Sequence, residues 1–212
     1  MDYRQFRFED VRCYAGVSIF RRDTGADEYT LVLHPMEYQP VAEQLRGLEI
    51  AYERALAELG ITRETAFVRR FFASDLVNQR ADLDASSLVR AEGDDLCAIS
   101  LVRQPPLPDG KVAMIAYHVV GEDHGLSGDP THVFRQANGR THVFLTQLCA
   151  PEVESSYDQT EIIFRDLDEK LAEHGLALEP DAVRTWIYVQ NVDANYMGLV
   201  RGRREHFTRR GL

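Results

Sequence analysis

The sequence predicts an α+β fold, an antiparallel-rich sheet with helices on one face, built as two related units in tandem. Strand-period segments come in hairpin pairs, helical-period segments follow each pair, and part of the chain repeats itself. Sliding the sequence by 115 residues pairs 44–69 with 159–184 without a gap. Eight of those 26 columns are identical: Gln44/Gln159, Leu56/Leu171, Ala57/Ala172, Glu58/Glu173, Gly60/Gly175, Glu64/Glu179, Val68/Val183 and Arg69/Arg184. Such a period is too long for a solenoid and marks a duplicated small domain.

Residues 12–21 and 29–34 flank the turn-forming Asp23-Thr24-Gly25 and read as the first hairpin. Leu45, Leu48, Tyr52, Ala55, Leu56 and Leu59 then recur at helical spacing, with Pro40 near the start and Gly60 as a natural stop. A strand at 66–73, a further helical stretch, and strands at 96–103 and 111–120 complete the first unit, residues 1–120. A glycine- and proline-rich linker, 121–130, leads to the second unit, 131–212. There, 132–136 and 141–148 flank Asn138-Gly139, a strong type I′ hairpin signal. Ser156-x-x-Gln159 resembles a capping box, Ile163, Leu167 and Leu171 form the apolar stripe, and Gly175 ends the helix. Residues 182–190 read as a strand, and 193–210 as a helix with Tyr196, Leu199, Val200 and Phe207 on one face. The two closing strands of the first unit have no counterpart, so the second unit is expected to be incomplete.

Composition excludes several functions. Lys and Arg number 24 against 34 Asp and Glu, a net charge of −10, which opposes phosphate binding and disfavours a nuclease or nucleic-acid wrapper. No apolar run approaches the roughly 20 residues of a membrane helix, and the first ten residues lack a signal-peptide core. The three cysteines (Cys13, Cys97 and Cys149) are odd in number and widely spaced, which fits a reducing cytoplasm better than a disulfide framework. Of these, Cys149 is the thiol to test for reactivity. The carboxylates and histidines of 121–132 sit in a linker without dedicated zinc-site spacing, so no metal is expected. No P-loop, G-x-G-x-x-G or G-x-S-x-G string occurs, and no cofactor is expected.

Two places suit a ligand. Alternation along 183–189 puts Arg184, Trp186 and Tyr188 on one face and Val183, Thr185, Ile187 and Val189 on the other. The apolar face suits the helices; the Arg and aromatic face suits a carboxylate held bidentately beside stacking rings, or a contact between subunits. Arg69 and Phe71 hold the same positions in the first copy. Arg203 lies at helical spacing from Tyr196 and Val200, where it needs an anionic partner or must reach the helix edge.

Leu171-Ala-Glu-His-Gly, Asp181-Ala-Val-Arg-Thr-Trp-Ile-Tyr-Val and the later Gly202-Arg203 resemble the helix–strand–helix of the YjgF/Rid family. Ala98-Ile-Ser-Leu-Val-Arg-Gln-Pro-Pro-Leu and Lys111-Val-Ala-Met-Ile-Ala-Tyr resemble its larger multi-repeat members related to chorismatases. The resemblance implies chorismate-mutase-like α+β units, trimers or pseudo-trimers, and small carboxylate metabolites bound in clefts between units. Imine-hydrolysing members use an Arg on the first closing strand and a Glu on the last. Here 96–100 and 113–116 hold neither, so the first unit is not expected to run that chemistry. Chorismatase-like chemistry implies protonation of an enol ether, water attack and loss of pyruvate, with Arg184 and Arg203 as substrate clamps and the general acid unassigned. The alternative is a non-catalytic module that binds a small metabolite or scaffolds an assembly.

Overall fold

The computed structural model describes residues 1–23, 26–121, 126–137 and 139–212. It is a mixed α+β structure in two compact units, Met1–Gln147 and Leu148–Leu212. No helix among the described residues is long and apolar enough to cross a membrane.

The first unit is built on a six-stranded sheet with strand order β1-β2-β3-β6-β4-β5. Its strands are β1 (Asp2–Phe8), β2 (Cys13–Phe20), β3 (Asp27–Pro35), β4 (Ala66–Ala73), β5 (Ala98–Arg103) and β6 (Val112–Val120). Neighbours run antiparallel except β4 and β5, which run parallel. Helix α1 (Val41–Leu59) lies across one face and buries Leu45, Leu48, Ala51, Tyr52, Ala55 and Leu56. These are the residues whose helical spacing predicted it, and each large apolar side chain removed from water contributes about 1.5–3 kcal/mol. Gly60 stops the helix at φ +69°, and the Ile61 amide donates back to the Leu56 carbonyl at 3.0 Å. A short helix, α2 (Arg80–Ala85), precedes β5.

Strand β1 was not expected from the sequence. Its charged alternation hides a workable pattern: Phe6 and Phe8 pack against the core, while Tyr3, Gln5 and Arg7 stand on the opposite face, across from Ser18, Gly16 and Tyr14. A second sheet of β7 (Leu126–Asp129), β8 (His132–Ala137) and β9 (Arg140–Leu145) follows, all antiparallel. Part of the expected linker is therefore strand; its residues 122–125 lie outside the described residues, as do Thr24, Gly25 and Asn138 of the two expected turns. The small sheet joins the first unit where the Ile99 amide donates to the Pro130 carbonyl at 2.7 Å and Thr146 Oγ1 donates to the Ile99 carbonyl at 2.7 Å. Hence the compact-unit boundary at 147/148 differs from the expected repeat boundary at 131, with β8 and β9 inside the first unit.

The second unit holds α3 (Ser156–Ala172), a single turn α4 (Leu178–Asp181) and α5 (Val192–Arg210). The cap of α3 is Ser155, one residue before the expected capping box: its hydroxyl accepts from the Asp158 amide at 3.3 Å, and Gln159 donates instead to the Val153 carbonyl. At its other end Gly175 has φ +68° and the Leu176 amide donates to the Leu171 carbonyl at 2.9 Å. Each of those atoms lies 115 positions beyond its counterpart at the end of α1.

There the likeness to the first copy ends. Residues 182–189 belong to neither sheet and to no helix. The expected strand at 182–190 is corrected on this point: β4 lies between β5 and β6, and the described residues contain no equivalents of those two strands for the second copy. Val183 is 99% exposed, although its counterpart Val68 is half-buried.

Helices α3 and α5 run parallel, since Thr160 meets Gly202, Phe164 meets His206 and Asp168 meets Arg210. The packing stripe of α5 is Gly198, Gly202 and His206, with Phe207 beside it, and not the expected face that begins at Tyr196, which is exposed. The helices approach too closely for side chains: a Cβ on Gly198 would lie 2.9 Å from the Tyr157 amide nitrogen, and one on Gly202 would lie 3.0 Å from Thr160 Cβ.

Candidate functional site

Two of the four expected ligand residues come together. Between α4 and α5 the Arg184 guanidinium lies over the Trp186 ring, 5.5 Å from its centroid, a cation–π contact. Trp186 and Tyr188 are 50% and 44% exposed, so an aromatic surface and a cation face solvent side by side. Arg203 is exposed on α5.

Arg69, the first-copy counterpart of Arg184, is placed differently. The expectation that the Arg and aromatic face of this strand turns outward is reversed in β4: Arg69 and Phe71 are fully buried, while Val68, Arg70 and Phe72 are half-buried on the other face. The reason is local partners. Arg69 Nε donates to Cys97 Sγ at 3.0 Å, Nη1 to the Asp95 carboxylate at 3.2 Å, and Nη2 to the Asp95 carbonyl at 3.2 Å. Asp95 also accepts from Arg63, which in turn pairs with Glu49 and Glu53. Here a buried guanidinium is held by an anion and oriented acceptors, the condition under which a core tolerates charge.

His118 lies near this arrangement. Its Nε2 is 2.8 Å from the Tyr52 hydroxyl and its Nδ1 2.9 Å from Thr65 Oγ1. Burial, reinforced by the positive charges of Arg69 and Arg135, pushes its pKa down to about 3. Burial pushes the Cys97 thiol up, against the pull of Arg69, and pushes Cys13 up to about 12. Neither thiol is a ready nucleophile. Cys149 is exposed. Arg69, Tyr52, Cys97 and His118 are all sealed from solvent, so this is a structural centre and offers no route for substrate. Sequence reasoning missed it because Asp95, Cys97 and His118 lie 26 or more residues from Arg69 along the chain.

A cleft of about 290 Å³ in the second unit is lined by Glu161, Ile162, Arg165, His206, Arg209 and Arg210. Its cations are engaged: Arg209 with Glu161, Arg210 with Asp168, and Arg165 with Asp166 and Glu169. An arriving carboxylate must therefore displace an existing ion pair, which makes the cleft a weaker candidate than the Arg184–Trp186 surface. Among the described residues no group of three side chains is placed to hold a metal ion.

No family model matches the chain, and no curated protein matches it. Among solved structures it is similar to a YjgF-family protein from Neisseria meningitidis, at 18% identity over 44% of this chain and 81% of that one, with a TM-score of 0.37. It is also similar to a putative translation initiation inhibitor from Salmonella typhimurium, at 16% identity over 49% of this chain and 97% of that one, with a TM-score of 0.35. A YjgF/YER057c/UK114 family member from Mycobacterium tuberculosis is similar at 17% identity over 51% of this chain and 85% of that one, with a TM-score of 0.31.

Proposed function

We propose that the chain is a tandem Rid-like protein of the chorismatase-related branch, acting on a small cyclic enolpyruvyl carboxylate. The observation that carries this reading is the Arg184 guanidinium over the Trp186 ring on an exposed segment between helices. A guanidinium pairs a carboxylate through two parallel hydrogen bonds, and an adjacent indole stacks on a flat ring. Tyr188 extends the aromatic surface, and Arg203 provides a second cation for a dicarboxylate. Electrostatic placement of this kind stabilises charge that develops as the enol ether is protonated and pyruvate leaves. The units assemble as a trimer or pseudo-trimer, with the ligand in a cleft that a neighbouring unit completes.

A second reading, a non-catalytic metabolite-binding module, is favoured by the composition of the closing strands. Residues 96–100 and 113–116 carry no Arg or Glu, and the pairs that could act as acid and base near Arg69 are sealed in the core. Incubation with chorismate while following pyruvate separates the readings: steady release supports the hydrolase, and binding without release supports the module. In either case Arg184→Ala is expected to weaken binding about ten- to a hundred-fold, the ~1.5–3 kcal/mol of a charge-assisted contact, with an unchanged melting temperature. Lost stability with unchanged affinity contradicts the site.

A further inference from the structure

We infer that the connection between β5 and β6 docks, as a ready-made polyproline II segment, in the aromatic-lined groove of a partner protein. The connection reads Gln104-Pro105-Pro106-Leu107-Pro108-Asp109-Gly110. Each proline ring holds φ near −65°. Gln104, Pro105 and Leu107 each precede a proline, and the clash with the following ring drives such residues to extended or polyproline II backbone. A turn fixes the far end: the Gly110 amide donates to the Leu107 carbonyl at 3.1 Å, and Asp109 has φ +72°. With proline at its second position and a positive φ at its third, this turn is type II, in which Pro108 itself stays near polyproline II angles. Residues 104 to 108 are thus all directed to one conformation.

Both ends are pinned. The Gln104 amide donates to the Val102 carbonyl at 3.0 Å, a three-residue turn at the end of β5. Buried Gln44 of α1 donates to the Asp109 carbonyl at 2.8 Å and accepts from the Lys111 amide at 2.7 Å. Pro106 packs back on Gly110, where a Cβ would lie 3.0 Å from its ring. Polyproline II turns once every three residues, so Pro105 and Pro108 share one edge about 9 Å apart. Pro105, Leu107 and Pro108 are exposed, Leu107 by 70%. This Pro-x-x-Pro spacing is what aromatic-lined grooves of the SH3 and WW kind accept. A segment already held in the bound conformation avoids most of the ordering cost of docking. Arg103, exposed at the start of the segment, calls for an acidic side chain at the edge of the groove. Neither this segment nor Gln44 belongs to the ligand reading above, so the two are tested separately.

Titration of the full chain into an isotope-labelled SH3 domain and, separately, into a labelled WW domain tests it, both probes carrying an intact proline-binding groove. At least one probe should show saturable shifts at its groove aromatics. Leu107→Ala, an exposed change that leaves the turn and its prolines in place, should weaken that binding about tenfold. Pro105→Ala combined with Pro108→Ala should abolish it, with the helical circular dichroism of the parent retained. No saturable binding to either probe overturns the inference, and so does binding that Leu107→Ala leaves unchanged. If the same substitutions instead remove a concentration-dependent self-association and neither probe binds, the occupant is a second copy and the inference fails.

Discussion

Among single residues, His118 carries a pH dependence whose sign follows from its burial. Tyr52, Thr65, Arg69 and Arg135 surround it, and its folded pKa is down at about 3, against about 6.5 in an unfolded chain. The unfolded state therefore binds more protons between those values, and stability rises with pH across that window. The contribution is fully present above pH about 6.5 and is lost as pH falls toward 3. Urea unfolding at neutral pH and at pH about 5 should show a lower midpoint in acid, and His118→Asn should flatten the slope. A parent protein equally stable at both values contradicts the burial of a neutral imidazole. Arg69 and Arg184 teach a related lesson at this scale. They are identical columns of one repeat, yet one is sealed against Asp95 and Cys97 and the other lies over Trp186 in solvent. An arginine's role is set by partners remote in the chain, which a local pattern does not contain.

Secondary elements were legible where short-range chemistry decides them. The helical spacing of Leu45 to Leu59 and the glycines at 60 and 175 marked two helix ends that share φ and hydrogen-bond pattern. Strand β1 was obscured because Arg4 and Arg7 disguise the alternation of Phe6 and Phe8, and the contact between α3 and α5 was obscured because it uses absence of side chain. Gly198 and Gly202 sit where an apolar stripe was sought, and α5 packs through them against Tyr157 and Thr160. Gly198→Leu is expected to force the helices apart and to cost about 1–3 kcal/mol, as overpacking does, in spite of leucine's better helix propensity. A thermal melt followed by helical circular dichroism should show a lowered midpoint. An unchanged or raised midpoint contradicts the close crossing.

For the whole molecule, the sequence anticipated an α+β chain with one finished sheet, and the order β1-β2-β3-β6-β4-β5 is that sheet. It did not anticipate that β8 and β9 would lie in the first unit, or that 182–189 would stay outside any sheet, because strand partnership depends on which other strands are present. This same openness keeps Arg184, Trp186 and Tyr188 in solvent, and on it the functional proposal depends. Trp186 is the only tryptophan in the chain, so its fluorescence reports on that surface alone. The decisive measurement is a titration of Trp186 emission with chorismate, excited at the red edge of the indole band, in the parent and in Arg184→Ala. The account predicts a saturable change in the parent that moves about ten- to a hundred-fold to higher concentration in the variant. Emission that does not respond, or that responds identically in both proteins, contradicts it.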